Sequence, residues 1–125
     1  MRRTPLLIIL SALLALFGTN RTAAGSTLSV HPGCFNNGNF VAICGPSVTG
    51  GTGNYVSYYW QITETALLQP TYSYSLTSTD PYLRHSCING INGINGWVTV
   101  TLTATDSQGA TGTGTHSIAC SEWAD

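Results

Sequence analysis

The chain has 125 residues, four cysteines, three histidines and no lysine, and only 7% of it is charged. Three of its four arginines precede residue 22, so the rest of the chain sets Arg84 alone against Glu64, Asp80, Asp106, Glu122 and Asp125. This balance argues against a nucleic-acid or anionic-membrane binder, whose affinity comes mainly from lysine and arginine on phosphates, and the length suits one domain.

The chain opens on Arg2 and Arg3, continues with an apolar run from Leu6 to Phe17, and then offers the small residues Thr22, Ala23, Ala24 and Gly25. That is the pattern of a secretory signal peptide over residues 1–25. The apolar run is short for a bilayer span, and no cysteine near the cleavage point is placed to accept a lipid. Residues 26–125 are then expected as the exported domain, extracellular or periplasmic, with no membrane association after cleavage. In such a compartment the four cysteines are expected as two disulfides, each stabilising by about 2–4 kcal/mol.

Thr27 to Val30 reads as a short strand ended by His31-Pro32-Gly33, and Cys34 to Phe40 as a turn around Asn37-Gly38. Phe40 to Cys44 resumes a strand, and Pro46 to Asn54 is a glycine-rich connection. No Lys-Ser/Thr follows those glycines, which sets a phosphate-binding loop aside. Tyr55 to Thr63 is the most aromatic strand. Its alternation assigns Val56, Tyr58, Trp60 and Ile62 to the core and leaves Tyr55 and Tyr59 on the other side. Glu64 to Leu68 has room for one helical turn, and Pro70 to Ser78 alternates again as a strand. Three Ile-Asn-Gly units over 88–96 read as a long loop, with an asparagine-lined binding edge as the functional alternative.

From Trp97 to Thr105 the residues Val98, Val100, Leu102 and Ala104 alternate with threonines, a strand with one buried face. Asp106-Ser107-Gln108-Gly109 supplies turn chemistry, and Ala110 to Ile118 returns as a second threonine-rich strand. This hairpin resembles the last two strands of the polycystic-kidney-disease (PKD) repeat, an immunoglobulin-like (Ig-like) sandwich of secreted bacterial proteins, in which valine–threonine alternation leads into an Asp-x-x-Gly turn. The resemblance covers Val41 to Ile118. The Trp-Asp-Phe-Gly-Asp-Gly stretch of that family is not kept, since Trp60-Gln61-Ile62-Thr63-Glu64-Thr65 retains the tryptophan and lacks both glycines. What the resemblance implies is an all-β, Ig-like antiparallel sandwich of about seven strands acting as a binding module.

Four cysteines allow three connectivities. Hairpin geometry favours Cys34 with Cys44, closing the Asn-Gly turn, and Cys87 with Cys120, where the last strand ends beside the start of its partner.

Catalytic signals are thin: no serine sits in Gly-x-Ser-x-Gly, His31, His85 and His116 have no carboxylate at a telling spacing, and the five acids form no pair by sequence. His31 with Cys34 and His85 with Cys87 offer a two-His, two-Cys zinc alternative, which disulfide formation would remove, and the acids are too few for calcium. No enzyme, cofactor or metal is therefore expected. Tyr55, Tyr59, Tyr82 and Trp123 are the candidate ligand-binding residues, because aromatic rings with a polar tip suit sugars or a protein surface. The expected function is binding of an extracellular polysaccharide or protein. A secreted hydrolase inhibitor presenting the segment from Cys87 to Trp97, or a structural envelope protein, are the alternatives.

Overall fold

The computed structural model describes residues 27–66, 68–88 and 96–123. The expected leader and the middle of the Ile-Asn-Gly segment lie outside the described residues.

The strand expected at Trp97 is β6 (Gly96–Asp106), and Val98, Val100, Leu102 and Ala104 are buried on one face as the alternation requires. Asp106 ends it by folding its own carboxylate back onto the turn. Oδ1 accepts the backbone N–H of Gln108 at 3.0 Å and of Ala110 at 2.8 Å, and Gly109 takes a φ of 85°. The chain returns as β7 (Thr111–Cys120), paired antiparallel from Thr105↔Thr111 to Gly96↔Cys120. On the other flank β6 pairs with β3 (Tyr55–Thr65), and β3 with β4 (Tyr72–Ser78), which completes a four-stranded sheet in the order β4-β3-β6-β7. A second sheet, β1-β2-β5, is built from β1 (Ser29–Asn36), β2 (Val41–Thr49) and β5 (Leu83–Ser86). Among the described residues the regular structure is therefore seven strands in two antiparallel sheets without a helix, an all-β sandwich compatible with the Ig-like class.

The core lies between the sheets. Tyr58, Trp60 and Ile62 of β3 and the inward row of β6 meet Leu28, Val30, Ala42, Cys44 and Leu83. Each large apolar side chain removed from water there stabilises by about 1.5–3 kcal/mol. Along one side β1 lies against β7, whose inward positions include Gly112 and Gly114. A Cβ on either would run into the Leu28 or Val30 carbonyl oxygen, so these glycines are what allow the two backbones to approach. Along the other side the Tyr74 hydroxyl of β4 reaches His85 of β5 at 2.9 Å.

Several local expectations give way. His31-Pro32-Gly33 does not stop β1, because β1 is an edge strand and Pro32 needs no donor on its open side. The first turn shrinks to Gly38-Asn39-Phe40, all at positive φ, and β2 runs on to Thr49, which leaves Gly50 to Asn54 as the connection. Glu64 and Thr65 complete β3 instead of starting a helical turn. A register shift between Tyr55 and Ser57 reverses the first residues of that strand, so Val56 is exposed and Tyr55 packs against the core. The short strand β5 was not expected, since its four residues give alternation too little length to register.

Both disulfides form as expected. Cys34 and Cys44 sit directly opposite in the β1–β2 ladder, with Cα atoms 4.0 Å apart, and Cys87–Cys120 joins the end of β5 to the end of β7 across the two sheets at 6.4 Å. Paired cysteines are the state that an oxidising compartment maintains.

Candidate functional site

The outward residues of the four-stranded sheet fall into ranks that run across the strands. Thr77, Tyr59, Thr103 and Thr113 form one rank, Ser75, Gln61, Thr101 and Thr115 the next, then Ser73, Thr63, Thr99 and Ser117, and finally Thr65, Trp97 and Ala119. None of these residues carries a charge. Neighbouring hydroxyls hold one another across the ladder: Thr103 with Thr113 at 2.9 Å, Thr101 with Thr115 at 3.1 Å, Thr99 with Ser117 at 2.8 Å, and Ser73 with Thr63 at 3.1 Å. Each hydroxyl still has acceptor capacity to spare. The pairing limits rotamer freedom, so a ligand meeting this face has less order to impose.

Two aromatic rings stand at opposite ends of this face, Tyr59 at 37% exposure and Trp97 at 58%. They are three ranks apart, and with two residues per rank at about 3.4 Å each the separation is about 20 Å. Between them lie only hydroxyls and the Gln61 amide. The face can therefore offer stacking at two points and hydrogen bonds along the line joining them.

Of the four residues expected to bind a ligand, Tyr59 alone lies here. Tyr55 is half-buried, with its hydroxyl directed at the carbonyls of Val48 (3.2 Å) and Gly50 (3.1 Å), so it serves the fold. Tyr82 is exposed just before β5, beside the other sheet. Its ring lies so close over Gly45 that a Cβ there would stand 3.0 Å from the ring edge, and it walls a shallow groove of about 360 Å³ with His31, Gly33, Phe35 and Ile43. Trp123 is exposed beyond β7, where its carbonyl accepts from Asn36 Nδ2 and Ser121 Oγ. The four do not form one surface. Trp97 was overlooked although the signal was present, because the alternation that puts Val98 inside puts Trp97 outside.

Sequence spacing also hid a buried polar cluster. Glu64, at the end of β3, and His85, on β5, are both buried, with Glu64 Oε2 and His85 Nε2 2.8 Å apart. Glu64 Oε1 accepts the Ile88 N–H at 2.6 Å, and His85 Nδ1 meets the Tyr74 hydroxyl. Burial, with the nearby Tyr72 and Glu64 adding to it, raises the Tyr74 hydroxyl above the ordinary tyrosine range, so it stays protonated at neutral pH. The groove beside Tyr82 is lined by none of these groups. The two-His, two-Cys zinc set does not assemble, since Cys34 and Cys87 are bonded to Cys44 and Cys120.

No family model, curated protein or solved structure matches the chain. The class is defined by the fold and the face alone: a disulfide-braced antiparallel β-sandwich with an uncharged, hydroxyl-ranked sheet surface.

Proposed function

We propose that the chain is a secreted, non-catalytic Ig-like module, of the PKD-like kind that its last hairpin resembles, which binds a neutral extracellular polysaccharide along the outer face of its four-stranded sheet. The observation that carries this reading is the uncharged rank of Ser and Thr between Tyr59 and Trp97. A neutral glycan presents apolar C–H faces that stack on aromatic rings and hydroxyls that both donate and accept. A line of side-chain hydroxyls ended by two rings offers the same two interactions at a spacing of about 20 Å, so an extended chain of several sugars suits it better than a single ring. Export is supported by the leader pattern and by both disulfides. A non-catalytic role is supported by Glu64 and His85, whose polar atoms are spent on each other, on the Tyr74 hydroxyl and on the Ile88 N–H inside the core.

The test is retention of the purified protein on a panel of insoluble or gel-embedded neutral polysaccharides. Tyr59→Ala and Trp97→Ala should each weaken retention by about tenfold or more, as the loss of an aromatic anchor does, while Tyr82→Ala leaves it unchanged. Retention that survives the double substitution would move the site off this face. Capture of a hydrolase with no glycan retention would favour the inhibitor reading instead.

A further inference from the structure

Glu64, His85 and Cys87 lie together in the core with one ligand atom each, all within 4.8 Å of one another. Cys120, bonded to Cys87, puts a second sulfur next to that of Cys87 and is the fourth donor. The ligands of a tetrahedral zinc ion, with bonds of about 2.0–2.3 Å, lie about 3.3–3.8 Å apart, so Glu64 Oε2 and His85 Nε2, now 2.8 Å apart, must part by about 0.5 Å, and the two sulfurs must separate once their bond is cut.

We propose that Glu64, His85, Cys87 and Cys120 form a redox-gated Zn²⁺ site, closed while the disulfide is intact and opened when a dithiol reductant cleaves it. What distinguishes this cluster from a chance gathering of donors is that the non-ligating atoms are already held. Metal-bound histidines carry their other ring nitrogen on a hydrogen-bond partner, and metal-bound carboxylates are themselves hydrogen-bonded. Here Tyr74 stands 2.9 Å from His85 Nδ1, which leaves Nε2 for the ion, and the Ile88 N–H holds Glu64 Oε1, which leaves Oε2. These two positions, now bonded to each other at 2.8 Å beside the Cys87 sulfur, are the ones an ion would part.

The reaction balances simply. The reductant's two thiols become its disulfide, and its two electrons and two protons convert Cys87–Cys120 to two thiols. Zn²⁺ then displaces those two protons. With the ion on Nε2, the His85 ring carries its proton on Nδ1 and donates a hydrogen bond from there to the Tyr74 oxygen. Two thiolates, one imidazole and one carboxylate make a donor set that suits zinc. The ion would hold the same ends of β3, β5 and β7 that the disulfide holds in the oxidised protein, which lets one buried corner be closed under either redox condition.

The experiment uses Co²⁺ as a spectroscopic probe and Zn²⁺ as competitor. Protein reduced with a water-soluble phosphine, which takes oxygen from water to become its oxide and, unlike a dithiol, leaves the ion unchelated, should take up one equivalent of Co²⁺ with the intense visible bands of a tetrahedral ion and a thiolate charge-transfer band. Zn²⁺ should abolish both, and the oxidised protein should show neither. Tyr74→Phe should weaken the reduced site by about 10- to 100-fold while leaving the spectrum tetrahedral. A structural role for Tyr74 alone would not change metal affinity. If reduction unfolds the chain, Zn²⁺ should restore its β-sheet signal. Cys120→Ala provides a second route, because it frees Cys87 without reductant, and it should bind Co²⁺ through the remaining three residues. A reduced protein that neither binds Co²⁺ nor refolds with Zn²⁺, or a Co²⁺ spectrum unchanged in Cys87→Ser, would overturn the proposal.

Discussion

Glu64 Oε2 and His85 Nε2 meet at 2.8 Å in the core, 21 residues apart in the chain and on different sheets of the sandwich. Taking either partner away leaves the other buried without its hydrogen bond, a loss of about 1–3 kcal/mol. His85→Leu and Glu64→Leu should each lower the denaturation midpoint by that order. The double substitution should cost less than the two together, because no orphaned partner of the pair remains. Urea denaturation of the four proteins checks this, and strict additivity would show that the pair is not coupled.

Asp106 ties the last turn to a loop half the chain away. Its Oδ2 accepts the Thr52 N–H at 2.9 Å, and Oδ1 accepts the backbone N–H groups of Gln108 and Ala110. These bonds, that from Thr52 foremost, favour the ionised form and lower its pKa below the ordinary aspartate value. A carboxylate whose folded pKa is depressed contributes stability that is complete above its unfolded pKa and lost as pH falls through the folded one. Thermal stability should therefore decline as pH drops below about 4. Asp106→Asn should flatten that decline while lowering stability at neutral pH. A decline of equal steepness in the variant would assign the acid sensitivity to another group.

Tyr55 and Tyr59 are four residues apart on one strand and should respond oppositely to substitution. Tyr55→Phe removes a hydroxyl bonded to the Val48–Gly50 backbone and should cost about 0.5–1.5 kcal/mol of stability with glycan retention intact. Tyr59→Ala should cost retention with little change in melting temperature. Calorimetry alongside affinity electrophoresis separates the two effects.

Gly112 and Gly114 permit β7 to lie against β1, and added side chains would force the sheets apart. Gly114→Ala should destabilise by about 1–3 kcal/mol or more. Gly33→Ala is the control, since a Cβ there meets nothing within 4 Å. With no strained φ to oppose it, that change should stabilise by about 0.4–1 kcal/mol. Equal losses at both glycines would mean that the inter-sheet contact is not the cause.

Cys87–Cys120, one of the connectivities that four cysteines allow, was fixed by the meeting of the two sheets, whereas the repeating alternation of β6 and β7, the inward Tyr58, Trp60 and Ile62, the Asp106 turn and the Cys34–Cys44 bridge were legible in the chain. Each is a short-range matter: a strand's face follows from parity, a turn from four consecutive residues, and a cross-strand bridge from the register that such a turn imposes. Parity misled at Tyr55 and Val56, where one bulge reversed the faces and moved a supposed ligand residue toward the core. At Trp97 parity holds, since the residue beside the inward Val98 faces out. Three other things were decided only when the sheets packed. The meeting of Glu64, His85 and Cys87 needs β3 and β5 to face each other. The close contact of β1 with β7 needs Gly112 and Gly114 opposite the Leu28 and Val30 backbone, 84 residues earlier in each case (112 − 28 and 114 − 30). Tyr59 and Tyr82 are parted because β3 joins one sheet and β5, which Tyr82 precedes, joins the other. These are distances between segments remote in sequence. Local pattern specifies which side of a strand is apolar, whereas the burial of two such sides against each other determines which polar groups are brought together at the edges.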